Sequence, residues 1–357
     1  TTIMTYNEYL NEAIQLLSKL IEIPSVSRSE NKAADLLESV ISSYGFQTKR
    51  YGNNILTEPT HYDTGRPTIL LNAHIDTVKP VSSWSLNPFS PVIKEGKLYG
   101  LGANDCGGGL VSLLQTYRIL SCREQHYNLL FLASAEEEVS GCNGISSVIP
   151  FLPHVDVAIV GEPTSMQPAV AEKGLMVLDI VSHGKSGHAA REEGVNAIYE
   201  ALEDIEWIKT YKFDKVSEFL GPVKMQLTMI SSGTQHNVVP DKCEMVVDVR
   251  SNELYSNKEI YDIISHKLKS EVKARSFRLG SSRIDMSHPL VSKCLSMNMT
   301  PFGSPTLSDQ ALMPFPSLKI GPGNSSRSHS ADEYIKITEI HDAINTYVSL
   351  LDNIKIT

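Results

Sequence analysis

Hydrophobic residues change their spacing along the chain. Over residues 9–21 they recur every three or four positions, which predicts an amphipathic helix. A similar pattern over 34–44 predicts a second helix, and Ser27-x-x-Glu30 before it predicts a capping box. From Thr68 to Glu162, continuous apolar runs alternate with helical patterns. Such runs are typical of strands buried on both faces, so this region predicts an α/β domain with a largely parallel central sheet.

The pattern changes again between residues 175 and 285. Here the order is strand, helix, two strands, helix and strand, which predicts a ferredoxin-like α+β domain. After residue 286 the earlier pattern resumes. We therefore predict a catalytic domain formed by 1–174 and 286–357, and an inserted lid or dimerisation domain formed by 175–285.

Acidic residues and histidines follow the ends of the apolar runs. In open α/β sheets, sites form in the crevice outside the carboxyl ends of the strands, so we expect these side chains to converge. They are His74 and Asp76 after the run 68–73, Asp105 after 102–104, Glu136 and Glu137 after 129–135, Glu162 after 155–161, and His329 beyond the run 316–323.

Together these residues form the ligand inventory of a two-metal site. Zinc takes histidine nitrogens and carboxylate oxygens as ligands. Three carboxylates and one hydroxide would neutralise the four charges of two zinc ions, and uncompensated charge in a partly buried site is costly. If Asp105 is shared, each ion receives one His and one Glu. The inventory therefore predicts two ions about 3.5–4 Å apart.

Each residue alone has a simpler interpretation. A single His after a strand is usually a hydrogen-bonded loop residue, and Asp105 and Glu162 could be caps at helix starts. The adjacent acids Glu136 and Glu137 fit this poorly, because neighbouring carboxylates repel each other unless a cation or a shared proton lies between them. One of the two would bind metal and the other act as general base, and spacing does not decide between them.

Asp76 is expected to support His74 rather than bind metal. It lies two residues after His74, so both side chains point to the same side of an extended segment. Its carboxylate would hydrogen-bond the ring of His74 and fix the tautomer.

Composition limits the classes of partner. The chain has 357 residues and a formal net charge of -9, which argues against nucleic acid and anionic membrane as main partners. Its five cysteines are scattered and form no C-x-x-C pair, which favours reduced thiols in a cytoplasmic protein. No signal-peptide pattern and no apolar stretch of about 18 residues is present, so we expect neither export nor a membrane span.

These motifs resemble the M20 family of dinuclear zinc aminoacylases and peptidases over nearly the whole chain, and most closely the branch of acetylornithine deacetylase and succinyl-diaminopimelate desuccinylase. The resemblance implies Glu136 as general base and Glu137 as metal ligand. One departure is Asp105-Cys106-Gly107-Gly108, where the family commonly has Asp-Met-Lys-Gly. The motifs that carry the resemblance are His74-x-Asp76, Gly102-x-x-Asp105, Glu136-Glu137, Gly161-Glu162-Pro163-Thr164, Lys173-Gly174, Ser186-Gly187-His188 and Gly321-Pro322-Gly323 through His329-x-x-Asp332-Glu333.

The resemblance also implies an activity. We expect metal-dependent hydrolysis of the amide bond of a small N-acylated amino acid, with deacetylation of N-acetylornithine in arginine biosynthesis as the leading reaction. Two divalent ions are expected, zinc in the first place and cobalt or manganese as alternatives. Rival activities are desuccinylation of N-succinyl-ornithine or N-succinyl-diaminopimelate, deacetylation of acetyl-lysine, and di- or tripeptide hydrolysis. A catalytically silent metal-binding scaffold is a rival from another class, although such a protein has no need of the base.

Several further residues are candidates for contacts with substrate. The resemblance implies that His188 reaches the active site of a partner subunit, in a homodimer, and stabilises the oxyanion. It also implies that Asn237 faces substrate, although this residue could simply form a turn. Arg250 could hold a substrate carboxylate bidentately or pair with a neighbouring acid. Asn324 and Arg327, in the loop before His329, are the remaining candidates.

Overall fold

The computed structural model describes residues 4–191 and 193–356. No helix in this part of the chain has the length and apolar character needed to span a membrane. The α-helices are α1 (Tyr6–Ile21), α2 (Asn31–Ser43), α3 (Gly108–Ser121), α4 (Ala197–Thr210), α5 (Asn257–Lys267), α6 (Pro289–Ser296) and α7 (Ile337–Leu351). The strands are β1 (Thr48–Tyr51), β2 (Asn54–Thr57), β3 (Thr68–His74), β4 (Val92–Lys94), β5 (Lys97–Tyr99), β6 (Asn128–Ser134), β7 (Val157–Val160), β8 (Ala169–Glu172), β9 (Met176–His183), β10 (Gly187–His188), β11 (Lys224–Ser232), β12 (Val238–Val239), β13 (Lys242–Arg250), β14 (Glu271–Ala274), β15 (Ser282–Arg283), β16 (Phe302–Ser304), β17 (Ser317–Lys319) and β18 (Tyr334–Lys336).

The described residues divide into two compact units. The first contains the chain up to Val170, Ile284–Phe302 and the part from Ser308 onward. The second contains Ala171–Arg283 and Gly303–Leu307. The sequence prediction placed the boundaries near 175 and 285 and did not anticipate the short second passage at 303–307.

A mixed sheet forms the centre of the first unit, with strands in the order β1-β2-β6-β3-β7-β17-β8. The pairs β6–β3, β3–β7 and β7–β17 are parallel, whereas the outer pairs are antiparallel. Every residue of β3 and β6 is buried. Helix α3 is buried on nearly all sides and packs against this sheet and against α1 and α7. The predicted α/β fold with a largely parallel centre is confirmed.

The second unit has a four-stranded antiparallel sheet in the order β11-β13-β9-β14. Together with α4 and α5, these strands follow one another as β-α-β-β-α-β, as predicted. In β9 the residues alternate between buried and partly exposed, so one face of the sheet is covered. Its buried core includes Leu178, Ile180, Ala201, Val247 and Ile260.

The predicted capping box before α2 is wrong. Glu30 occupies the N-cap position, but no side chain caps the helix there. The Ser27 hydroxyl donates to the Asp76 carboxylate at 2.5 Å, and Glu30 accepts hydrogen bonds from the backbone of Arg28 and Glu136. Both side chains are engaged by the loops that follow the central strands, and this engagement replaces the local cap.

Candidate metal centre

A first group of ligand atoms surrounds the ring of His74, the last residue of β3. Its Nε2 atom lies 3.2 Å from Asp105 Oδ1, 3.5 Å from Glu162 Oε1 and 3.7 Å from Glu137 Oε2. Its other nitrogen, Nδ1, lies 2.8 Å from the backbone oxygen of Asp76. The Nε2 edge of the ring therefore faces three carboxylates, while the Nδ1 edge is held by the backbone.

A second group surrounds His329. Its Nε2 atom lies 2.9 Å from Glu138 Oε2 and 3.5 Å from Asp105 Oδ2. The two oxygens of Asp105 thus face two different imidazoles, His74 on one side and His329 on the other. This is the arrangement that a carboxylate shared by two cations requires.

In the acidic run 136–138, the two side chains that face the candidate metal centre are the second and third, whereas the sequence interpretation used the first and second. Glu137 and Glu138 join the groups of potential ligand atoms that lie within 4.8 Å of one another, and among the described residues Glu136 contributes to no such group. The Glu136 carboxylate instead accepts hydrogen bonds from the backbone and side chain of Asn143, at 3.3 and 3.2 Å. Glu137 thus remains among the potential metal ligands, and Glu138 joins it, whereas the carboxylate of Glu136 is engaged by Asn143. The roles predicted for Glu136 and Glu137 stay predictions.

The cause of this offset is the backbone at Glu136. Its φ of 53° lies in the left-handed region, so the alternation of the preceding strand does not continue through the acids. Gly141 leaves space for the turned side chain, because a Cβ at this position would lie 1.8 Å from Glu136 Oε2. Glu138 was missed in the sequence, and the only signal for it was that the acidic run has three members rather than two.

Buried carboxylates hold the backbone of this acidic run. Asp76 Oδ1 accepts from the N–H of Glu137 at 3.0 Å, and Oδ2 accepts from the N–H of Glu138 at 3.1 Å. Glu30 accepts from the N–H of Glu136 at 3.0 Å. Asp76 was expected to hold the ring of His74, but its carboxylate lies 3.5 Å from Nδ1, farther than its own backbone oxygen. Its carboxylate mainly fixes the loop that presents Glu137 and Glu138.

Electrostatics in the cluster favour cations between the acids. Burial and the neighbouring carboxylates of Asp105 and Glu138 raise the pKa of Glu162 to about 8, although His74 and Lys319 oppose this rise. Burial likewise raises the pKa of Glu137 well above its usual range. The hydrogen bond to Glu138 raises the pKa of His329 to about 9. Divalent cations bound by these oxygens and imidazoles would relieve the repulsion, so the donor set fits two metal ions.

Cys106, where the chain departs from the family motif, is buried beside this cluster. Its sulfur accepts a hydrogen bond from the backbone N–H of His74 at 3.3 Å. Burial raises the pKa of this thiol well above its usual value, although His74 opposes the rise. Cys106 is therefore a neutral side chain, and it packs against the backbone of β3 at His74.

The remaining candidates of the first unit are engaged locally. Asn324 accepts a hydrogen bond from the N–H of Ser326 and so caps the turn before His329. Arg327 binds Glu339 through two hydrogen bonds, at 2.8 and 2.9 Å, and its guanidinium lies 4.5 Å from the ring centroid of Tyr334. These contacts engage the Arg327 guanidinium within its own unit, and its contact with substrate stays a prediction.

In the second unit, His188 and Asn237 are exposed. His188 lies in β10, opposite Val238 of β12, and its Nδ1 accepts from the N–H of Ala190. Arg250 binds Asp248 through two hydrogen bonds, at 2.7 and 3.1 Å. Of the two alternatives for Arg250, the structure therefore has the ion pair with its neighbour.

Comparison with known proteins identifies the family. Residues 70–353 match the peptidase family M20/M25/M40. The chain belongs to this family. It is therefore a metallo-hydrolase, and the expected resemblance is confirmed. A succinyl-diaminopimelate desuccinylase of Wolbachia pipientis is 23% identical over 96% of this chain and 93% of its own length. An acetylornithine deacetylase of Proteus mirabilis is 28% identical over 95% of this chain and 96% of its own length.

Solved structures of this family share the fold. The aminopeptidase PepT of Bacillus cereus has a TM-score of 0.77 at 17% identity, covering 96% of this chain and 98% of its own. The YXEP protein of Bacillus subtilis, a dinuclear metal-binding peptidase of the M20 family, has a TM-score of 0.74 at 17% identity, covering 97% and 98%. The family is metal-dependent, and a neighbour with the same fold binds two metals.

Proposed function

We propose that this protein is a dinuclear zinc amidohydrolase that removes the acyl group from an N-acyl amino acid, with N-acetylornithine as the leading substrate. The observation that carries the proposal is the position of Asp105, whose two oxygens face His74 and His329. Membership of the M20/M25/M40 family and the 28% identity to an acetylornithine deacetylase support it.

The ligands follow from the two groups around the histidines. His74, Asp105 and Glu162 would hold one ion, and Asp105, Glu138 and His329 would hold the other. This assignment replaces Glu137 of the sequence prediction with Glu138, because the carboxylate of Glu138 approaches His329 to 2.9 Å. Zinc suits the nitrogen and oxygen donors, and cobalt or manganese could replace it.

Glu137 takes the place of Glu136 as the proposed general base. Its carboxylate lies 3.7 Å from His74 Nε2, beside both ligand groups, without being needed as a ligand. Two bound ions would supply Lewis acidity and lower the pKa of a water molecule. Glu137 would accept the proton of the attacking water and pass it to the leaving amine. Asp76 would hold Glu137 in place through its backbone N–H.

A second candidate reaction is desuccinylation. The Wolbachia relative is a succinyl-diaminopimelate desuccinylase, and its similarity extends over as much of the chain as that of the deacetylase. Acetyl-lysine deacetylation and the hydrolysis of di- or tripeptides would use the same cluster. A silent metal-binding scaffold is disfavoured, because Glu137 is retained in addition to a full set of ligands.

An assay of the zinc-loaded protein separates these reactions. N-acetylornithine, N-succinyl-ornithine, N-succinyl-diaminopimelate, acetyl-lysine, a dipeptide and a tripeptide are compared by kcat/KM. We expect the highest value for N-acetylornithine. A higher value for a succinyl substrate or a peptide would move the assignment to that reaction, and no turnover of any amide would favour the scaffold.

Metal content is tested independently of substrate. Elemental analysis and anomalous scattering of fully loaded protein should give two ions per chain. Glu138→Gln should lower the content towards one ion, because it removes a ligand of only one of the two. Saturation of the unaltered protein at a single ion would contradict the dinuclear assignment.

We further propose a homodimer formed through the second unit, in the cytoplasm, with a role in arginine biosynthesis. The large apolar side chains of Tyr199, Leu202, Met229 and Ile230 are more than half exposed, at 69%, 54%, 64% and 54%. The first two lie on α4 and the others on the edge strand β11. All five cysteines are free, which suits a reducing compartment.

A further inference from the structure

Glu333, just before β18, binds the loop that carries Asp105. Only 2% of its surface is exposed. Its Oε1 accepts hydrogen bonds from the backbone N–H groups of Asn104 at 2.9 Å and Asp105 at 2.8 Å, and its Oε2 accepts from the N–H of Gly102 at 3.0 Å. One side chain thus binds three of the four backbone N–H groups in the segment 102–105.

The carboxylate is buried, and burial raises the pKa of Glu333 to about 7, although the hydrogen bonds from the backbone N–H groups oppose this rise. In the ionised form, its hydrogen bonds from N–H groups are about twice as strong as those between neutral groups. The loop itself is not a regular element, since Gly102 has a φ of 78° and Asp105 lies at a kink. Without Glu333, the backbone N–H of Asp105 would lose the hydrogen bond that fixes its direction.

We propose that Glu333 is a positioning residue for the bridging carboxylate: it holds the backbone at Asp105 so that the two side-chain oxygens face His74 and His329. The inference rests on the proposed dinuclear function. Among the described residues, Glu333 belongs to none of the groups of potential metal ligands, and it would act through the backbone of Asp105.

The opposite side of the cluster is built in the same way. Asp76 binds the backbone N–H groups of Glu137 and Glu138, as Glu333 binds those at Asn104 and Asp105. Each buried carboxylate therefore fixes a loop that presents a metal ligand. Partners of this kind typically contribute about 10–100-fold to metal affinity.

Asp332 provides a matched control. It is the neighbour of Glu333, and its carboxylate also binds two backbone N–H groups, those of Ser85 and Leu86, at 3.0 Å each. These residues lie in a loop that carries none of the proposed ligands. Asp332→Asn therefore removes a carboxylate of similar function without altering the loop of Asp105.

The variant Glu333→Gln tests the proposal. An amide keeps the size of the side chain, but its NH2 group must face a backbone N–H, so at least one of the three hydrogen bonds is lost. Metal-free protein is titrated with Mn²⁺ against a competing chelator, and electron paramagnetic resonance follows the exchange coupling between two bridged ions. We expect about 10–100-fold weaker binding of one ion and loss of the coupled signal at stoichiometric metal.

Asp332→Asn should retain both dissociation constants and the coupled signal. Unchanged constants and coupling in Glu333→Gln would overturn the proposal. If Glu333→Gln does not fold, Glu333→Asp carries the test, because it keeps the charge but is too short to reach all three N–H groups, and it should weaken the same ion. Absence of coupling in the unaltered protein would instead contradict the dinuclear function itself.

Hydrogen exchange of the metal-free protein gives a second measurement. The amide of Asp105 should be protected in the unaltered chain and should exchange faster in Glu333→Gln, whereas the amides of β3 should be unaffected. Equal exchange at Asp105 in both proteins would show that Glu333 does not hold this backbone.

Discussion

The candidate residues of the two units differ in how firmly they are held. In the first unit, His74 is buried, and Asp105, Glu137 and Glu138 lie in loops whose backbone N–H groups are bound by buried carboxylates. In the second unit, His188 and Asn237 are exposed, and Arg250 is bound to its neighbour Asp248. The residues of the candidate metal centre thus converge within the first unit. In the second unit, the pairing of β10 with β12 brings the backbones of His188 and Asn237 close together, whereas Arg250 is engaged by Asp248.

This difference shows in which kind of sheet the residues after strand ends predict a shared site. The ends of parallel strands converge on one edge of a sheet, so residues there meet irrespective of their distance in sequence. Residues on an antiparallel sheet edge or a short hairpin have no such point of convergence. The proposed role of His188 in stabilising the oxyanion would therefore need a contribution from outside its own unit.

Replacing the proposed base should have the largest effect. Glu137→Gln keeps the size of the side chain but cannot accept the proton, so kcat should fall by about 10²–10⁴-fold with metal content unchanged. Glu136→Gln is the matched control and should retain most of the activity, because this side chain binds Asn143 outside the cluster. The reverse result, with Glu136→Gln inactive and Glu137→Gln active, would make Glu136 the general base, as the family resemblance implies.

A smaller effect is expected in the second unit. His188→Ala should lower kcat by about 10²–10³-fold, the usual cost of removing one oxyanion donor, and should leave metal content unchanged. His183→Ala, which removes an exposed histidine paired with Glu271 in the same unit, should have no such effect.

The proposed dimer makes this second prediction sharper. Mixed dimers of His188→Ala and Glu137→Gln chains should recover part of the activity, because one of the two sites would contain both intact residues. Sedimentation should show a dimer for the unaltered protein. A monomer, or verified mixed dimers without recovery, would show that His188 does not act across two chains.

The smallest effect should follow from Arg327→Met. Loss of the two hydrogen bonds to Glu339 should lower the free energy of unfolding by about 1–2 kcal/mol, with kcat and KM unchanged. Lys94→Met, at an exposed position, should change it by less than about 0.5 kcal/mol. A large rise in KM without a change in thermal stability would mean that Arg327 contacts substrate after all.

The sequence allowed the fold and most of the cluster to be predicted because both depend on simple periodicity. The runs before His74, Glu137 and Glu162 are buried strands, and the structure brings these residues together. His329 follows β17 less directly, with a short turn between them, and it still reaches the cluster.

The sequence interpretation and the structure differ where tertiary contacts override local rules. A left-handed residue at Glu136 shifts the acidic run by one position, and no spacing rule predicts this. Ser27 and Glu30 match a capping box, but their side chains bind distant loops instead. The role of Glu333 was also not predictable, because its partners are backbone N–H groups, which carry no sequence signal.

The distance in sequence between Asp105 and the residue that holds it has a consequence for biosynthesis. The hydrogen bond from the Asp105 N–H to Glu333 joins positions 228 residues apart. At a synthesis rate of about 5–20 residues per second, the loop emerges roughly 11–46 s before Glu333 does. During this interval the nascent chain contains His74, Asp105 and Glu138 but neither His329 nor the carboxylate that holds Asp105. The proposed binding of two metal ions would therefore have to follow the synthesis of residues 329–333.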